Sequence, residues 1–112
     1  MRKSIIVEFN TQYAPEIKRI RNLVFSREQK IAESLDLDGN DPDAFHVLVM
    51  EDNQFIGTGR LLADGHIGRL AVIKEYRGKG LGAEAVRALI EKAKKSGMKR
   101  VFLGSQLYAI GF

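Results

Sequence analysis

Cysteine is absent from this chain of 112 residues, and proline occurs only twice. Without cysteine there is no disulfide framework, no thiolate nucleophile and no cysteine-based zinc or iron site. Long hydrophobic runs are also missing, because the apolar stretch near the N-terminus ends at Glu8 and no segment approaches the ~18 apolar residues of a membrane span. These absences predict a cytoplasmic protein that has neither a membrane partner nor a metal site.

Acidic residues are missing from the end of the chain, since none follows Glu91. Residues 1–73 contain nine Lys and Arg against eleven Asp and Glu, whereas residues 74–112 contain nine against three. The formal net charge of +4 therefore comes from the last third, where an anionic ligand is expected to bind. The composition, 45% hydrophobic and 29% charged, is typical of a globular protein, and the length predicts one domain over residues 1–112.

Hydrophobic periodicity predicts a mixture of strands and helices. Five strands are predicted, at residues 4–9, 45–50, 54–62, 66–73 and 100–103. Helical spacing predicts one or two helices over residues 14–34 and another from Leu81 to Gly97, and residues 35–43 are predicted to be a solvated surface loop. Three consecutive strands form an antiparallel meander, and the next helix and strand complete a parallel βαβ unit. The predicted fold is therefore α+β, with a mixed, mainly antiparallel sheet flanked by helices.

The most informative segment is the loop Arg77–Ala83, which lies between a predicted strand and a predicted helix. Its three glycines remove the Cβ atoms that would keep a ligand away from the backbone, and they allow successive N–H groups to turn toward one point. The start of the helix and the charges of Arg77 and Lys79 add positive potential. The loop is therefore predicted to bind a diphosphate. The alternative is a glycine-rich connector that only packs the helix against the strand.

Two common phosphate-binding motifs fit this loop less well. A P-loop requires Ser or Thr after Gly-Lys, but Gly80 follows Lys79. The dinucleotide-binding fingerprint requires a parallel sheet before the loop and an acidic residue about 20 residues after it, and the sequence predicts neither.

Residues 69–90, RLAVIKEYRGKGLGAEAVRALI, resemble the acetyl-CoA signature of the GNAT N-acetyltransferase superfamily. The family loop, Arg/Gln-x-x-Gly-x-Gly/Ala, is matched by Arg77, Gly80 and Gly82, and the segments NLVFSREQKIAESLDLDG and FIGTGRLL extend the resemblance over nearly the whole chain. The resemblance implies a GNAT-like fold and transfer of an acetyl group from acetyl-CoA to a primary amine of a small molecule or a peptide. It also implies that one strand holds the pantetheine arm through its backbone and that the loop holds the pyrophosphate. The coenzyme-binding residues implied in this way are Leu70, Ala71, Val72, Arg77, Gly78, Lys79, Gly80, Leu81, Gly82 and Ala83.

The catalytic residues are not identified by this resemblance. An ammonium must lose a proton before it attacks the thioester, and the departing thiolate must gain one. His46, His66 and Glu51 are candidates for the base, and each also has a plain structural interpretation. The family's usual acid is a tyrosine after the fifth strand, but Tyr108 lies about one turn too early to be given that role.

The end of the sequence leads to two further expectations. The chain is expected to stop before the family's last strands, so that Val101–Leu103 forms an exposed apolar edge and mediates self-association into a homo-oligomer. The same feature keeps open an alternative function, a catalytically degenerate domain that binds acyl-CoA or recruits a partner.

Two charged segments are weaker indications of a binding site. The acidic residues of the loop 36–43 do not have the spacing of a calcium site. The basic residues between Lys92 and Arg100 could contact nucleic acid, but no aromatic residue interleaves with them, so no nucleic-acid partner is predicted.

Overall fold

The computed structural model describes residues 2–30, 39–103 and 106–109. The strands are β1 (Lys3–Glu8), β2 (Phe45–Glu51), β3 (Gln54–Leu61), β4 (His66–Val72), β5 (Arg100–Leu103) and β6 (Gln106–Ala109). The helices are α1 (Ala14–Arg21), which continues as a π-helix over Asn22–Glu28, α2 (Leu81–Lys95), and short 3-10 turns at Asp41–Asp43 and Lys74–Tyr76. The five predicted strands and the predicted second long helix are therefore present, with small differences at their ends. The predicted continuation of helix from residue 31 to residue 34 lies outside the described residues.

The strands form one six-stranded sheet in sequence order, β1-β2-β3-β4-β5-β6. All neighbouring strands are antiparallel except β4 and β5, which are parallel and are connected through α2. This arrangement confirms the predicted α+β fold with its mainly antiparallel sheet. Within the ranges that the structure describes, no helix combines the length and the apolar character needed to cross a membrane.

The sheet is covered by α1 on one face and by α2 on the other. Leu48 packs with Ile17 and Ile20 of α1, whereas its neighbours Val47 and Val49 pack on the α2 side, as expected because successive side chains of a strand point to opposite faces. Four residues of α2, at intervals of four, are buried against the sheet: Leu81, Ala85, Leu89 and Ala93. Burial of one leucine side chain stabilises the folded state by about 1.5–3 kcal/mol. These four buried residues therefore fix the position of the helix and of the loop before it.

The predicted exposed edge at Val101–Leu103 is wrong. Strand β6 pairs with β5 along its whole length, from Arg100 opposite Ala109 to Leu103 opposite Gln106, and Val101 is only 1% exposed. The backbone N–H and C=O groups of β5 need partners, and the chain that directly follows can supply them because closing a short loop costs little entropy. The homo-oligomer remains a prediction, but an exposed β5 cannot be its basis.

The predicted solvated loop is wrong at Asp41. This residue is 2% exposed, and its Oδ1 accepts hydrogen bonds from Arg21 at 2.7 Å and from Arg60 at 3.2 Å. Burial alone would raise the pKa of Asp41, but the hydrogen bonds and charges of the two guanidinium groups hold it below its ordinary value. The composition of the loop hid this role, because the reason for the burial lies in α1, where Arg21 shares the buried stripe with Ile17 and Ile20. The part of the predicted loop before Gly39 lies outside the described residues.

Candidate functional site

Strand β4 has a partner along one edge and is only partly covered along the other. It pairs with β3 as far as Val72, but its ladder with β5 consists of two pairs, His66 with Phe102 and Ile67 with Leu103. A bulge in the β3 ladder adds curvature, because Arg69 adopts φ +51° and the register shifts beside it. In the described residues β5 therefore ends before it reaches the C-terminal half of β4.

A cleft with a volume of about 340 Å³ lies beside this half of β4. The structure brings together there eight of the ten residues that the resemblance implied, namely Leu70, Ala71, Val72, Arg77, Gly78, Gly80, Leu81 and Gly82. The other two, Lys79 and Ala83, belong to the same loop but do not line the cleft. Val24 and Gln29, which no sequence motif indicated, also line the cleft. They lie at the π-helical end of α1, where the amide of Gln29 donates to the carbonyl of Val24.

The glycines of the loop are open on their Cβ side. Gly78 and Gly80 have φ angles of +84° and +79°, which glycine adopts at little cost, whereas Gly82 lies inside α2. A Cβ atom built on any of the three would meet no atom within 4 Å. At Gly59, by contrast, the added Cβ would lie 2.7 Å from Leu70 Cδ2. Packing contacts therefore do not require glycine at any of the three positions, but the φ angles of Gly78 and Gly80 favour glycine for the turn itself. Of the three, Gly82 alone fits the connector interpretation poorly.

Gly82 is the most informative of the three. Neither its backbone conformation nor its packing requires glycine, and glycine in a helix is less favourable than alanine by up to ~1 kcal/mol. A residue without a side chain at this position leaves room for a ligand to approach the backbone closely.

The start of α2 supplies hydrogen-bond donors to the same place. Gly80 is the N-cap residue, and the amide of Glu84 donates to its carbonyl at 3.1 Å. The amides of Leu81, Gly82 and Ala83 precede that bond, and the first N–H groups of a helix have no acceptor within the helix. Together with the positive end of the helix dipole, these amides are suited to bind an anion.

The cationic side chains of the loop have protein partners. The guanidinium of Arg77 donates from Nε to the carbonyl of Val72 at 2.9 Å and from both terminal nitrogens to the carboxylate of Glu28 at 2.5 Å. The hydrogen bond to Arg77 is the main reason why the pKa of Glu28 is below its ordinary value, and the same bond raises the pKa of Arg77. The ammonium of Lys79 lies 5.4 Å from the centre of the Tyr76 ring. No sequence motif indicated that Glu28, 49 positions away, would meet Arg77.

Residue Arg2 also contacts the loop and was not identified from the sequence. Its terminal nitrogen donates to the carbonyl of Lys79 at 2.8 Å, and its Nε donates to Glu51 at 3.3 Å. Because the C=O and N–H of a trans peptide point in opposite directions, this bond fixes the direction of the Gly80 amide.

Comparison with known proteins now identifies the family. The sequence model of the acetyltransferase (GNAT) family matches residues 10–112. The chain belongs to this family. The Bacillus subtilis protein YyaT is 37% identical over 103 residues, which cover 87% of this chain and 70% of YyaT.

Solved structures agree with this assignment. An acyl-CoA N-acyltransferase from Pseudomonas aeruginosa superposes with a TM-score of 0.78 at 25% identity, covering 92% of this chain and 78% of that one. An N-acetylglutamate synthase from Neisseria gonorrhoeae, solved with coenzyme A and N-acetylglutamate, shares the fold alone, with a TM-score of 0.63 at 20% identity, covering 90% of this chain and 25% of that one. The GNAT-like fold is confirmed, and the family assigns acyl transfer as the general reaction.

The three candidate bases of this GNAT chain lie apart from the cleft. His46 is 1% exposed, its Nε2 lies 3.1 Å from the Asp41 carbonyl, and burial lowers its pKa. His66 stacks on Phe102 at the start of β4, with ring centres 4.9 Å apart. Glu51 accepts a hydrogen bond from Arg2, and none of the three lines the cleft in the described residues. The backbone of Tyr108 belongs to β6, a strand, and not to a helix.

Proposed function

We propose that this GNAT protein transfers the acetyl group of acetyl-CoA to a primary amine of a small molecule or a peptide. The observation that carries the proposal is the loop before α2, where three glycines have open Cβ positions beside the first amides of a helix, which have no acceptor within that helix. A site made of backbone donors in this form is suited to a diphosphate.

The neighbouring part of β4 fits the other half of the coenzyme. Leu70, Ala71 and Val72 line the cleft on the side of β4 that the described part of β5 does not reach. An extended chain containing amides can pair with such an edge as an added strand. The pantetheine arm has this form, so the edge would hold the arm while the amides of the loop hold the pyrophosphate. When bound there, acetyl-CoA supplies the activated thioester.

The acceptor must lose a proton before it can attack, because a primary amine of the lysine type has a pKa near 10.4. His46, His66 and Glu51 do not line the cleft, so the described residues provide none of the bases that the sequence suggested. This observation favours a second candidate function, namely binding of acyl-CoA without turnover.

One experiment separates the two functions. The purified protein is incubated with acetyl-CoA and a panel of primary amines, including lysine peptides, polyamines and aminosugars, and the released thiol is followed with a chromogenic disulfide. Amine-dependent thiol release supports the transferase. Binding of coenzyme A by calorimetry without release for any amine supports the binding protein, and absence of coenzyme binding contradicts both.

A further inference from the structure

The ion pair between Arg77 and Glu28 connects the loop to the π-helical end of α1. Both carboxylate oxygens of Glu28 accept hydrogen bonds at 2.5 Å, and Nε of Arg77 is held by the carbonyl of Val72. The guanidinium that the sequence assigned to the diphosphate is therefore directed at a protein carboxylate.

This pair lies between two cavities. Arg77 lines the coenzyme cleft, whereas Glu28 lines a second cavity of about 290 Å³ together with Leu23, Arg27 and Lys74. Val24 lines both cavities. The carboxylate thus stands at the border of the coenzyme site, next to the residue that begins the glycine loop.

A diphosphate at the loop would compete with Glu28. Arg77 directly precedes Gly78, so a ligand on the amides that follow brings phosphate oxygens close to the guanidinium. The side chains of the pair are 39% and 33% exposed, and ion pairs with such exposure contribute little to stability. A diphosphate has more negative charge than one carboxylate, and guanidinium binds phosphate in the same bidentate way.

We propose that Glu28 competes with the diphosphate for Arg77 and thereby sets the affinity of the site for coenzyme. The inference rests on the proposed function, since it requires a diphosphate at the loop. Without coenzyme Glu28 neutralises Arg77, and when coenzyme binds, the guanidinium moves from the carboxylate to the phosphates. Coenzyme that leaves after the reaction is replaced by the carboxylate, which lowers the affinity for the product.

The test compares Glu28→Gln with Glu75→Gln. Glu75 lines the same second cavity and acts on Arg77 only through its charge, so Glu75→Gln removes an equal charge without removing the ion pair. Each variant and the parent protein are titrated calorimetrically with coenzyme A, with inorganic pyrophosphate and with pantetheine, which has no phosphate.

For Glu28→Gln we expect the dissociation constants of coenzyme A and pyrophosphate to fall about two- to fivefold, which is the range of an exposed ion pair. The gain should shrink as salt is added, and pantetheine affinity should not change. Glu75→Gln should give a smaller gain. In an Arg77→Gln background, Glu28→Gln should have no effect on coenzyme binding, because the competition requires the guanidinium.

Three results would overturn the inference. Weaker coenzyme binding by Glu28→Gln would mean that Glu28 positions Arg77 for the ligand. An equal gain for Glu75→Gln would mean a general charge effect, and no gain at all would mean that the guanidinium of Arg77 does not bind the phosphates when its carboxylate partner is removed. These results all require a parent protein that binds coenzyme A. Failure of the parent to bind coenzyme contradicts the proposed function instead, so the two failures are distinguishable.

Discussion

Replacement of Gly80 by aspartate tests the proposed diphosphate site directly. The residue is the N-cap of α2 and lines the cleft, and a Cβ added there would meet no neighbouring atom within 4 Å. Gly80→Asp would therefore place a negative charge beside the amides proposed to hold the diphosphate, without a steric clash with the protein itself.

The expected loss of affinity follows from simple electrostatics. Two like unit charges about 4 Å apart repel by about 1 kcal/mol in water and by about 4 kcal/mol at the effective dielectric near a protein surface. The diphosphate has more than one negative charge, so a penalty of about 3 kcal/mol is a moderate value, and it corresponds to a roughly 100-fold rise in the dissociation constant.

Backbone strain must be separated from this effect, and Gly97 provides the control. Its φ is +83° and its Cβ position is also open, so Gly97→Asp has the same left-handed strain, about 1 kcal/mol. Gly97 follows the other end of α2, about 25 Å away at ~1.5 Å per residue, which is well beyond the ~8 Å Debye length. Isothermal titration with coenzyme A should show the loss for Gly80→Asp only. Equal affinities for the two variants would refute a diphosphate site at the loop.

Three further predictions concern stability and can be measured by urea denaturation. Burial lowers the pKa of His46 in the folded protein, so the unfolded chain binds a proton first as the pH falls. The free energy of unfolding should therefore be constant above pH 7 and decrease below about pH 6.5 by up to ~1.4 kcal/mol per pH unit. His46→Gln should remove this slope. Asp41→Asn removes the charge that Arg21 and Arg60 share and should cost about 3 kcal/mol, whereas a loss below ~1 kcal/mol would show that the ion pairs do not hold the turn. Gly65→Ala places a Cβ 2.5 Å from the carbonyl of Arg100 at φ +96°, so it should cost at least about 2 kcal/mol, and unchanged stability would contradict the close approach of β4 and β5.

The sequence predicts those parts of the fold that depend on local patterns. The four-residue spacing of Leu81, Ala85, Leu89 and Ala93 defined α2, and all four are buried in the structure. Strand ends were predicted closely because turn formers such as Asn53 and Gly65 border them. The pairing of β6 with β5 was missed because four residues, QLYA, have no periodicity that separates a strand from the start of a helix.

The candidate site likewise has one part that local sequence patterns predict and another part that depends on tertiary contacts. A site made of backbone amides needs only glycines and a helix start close together in sequence, and a single stretch from Arg77 to Ala83 contains both. The partners of charged side chains come from distant positions, and neither Glu28 beside Arg77 nor Arg2 beside Lys79 leaves a signal within a sequence window.

This difference explains why the proposed coenzyme half of the site is better defined than the acceptor half. The coenzyme always contains the same amides and the same diphosphate. Main-chain N–H and C=O groups can bind both, so the side chains around them need not be of a particular type. An acceptor amine and its proton need particular side chains at particular distances. Those side chains are placed by tertiary contacts, as His46 shows: it was a candidate base by residue type, but in the structure it is enclosed beside Asp41. Thiol-release assays with defined amines are therefore the measurement that adds most to the structure, because they report on the half of the reaction that local sequence patterns do not encode.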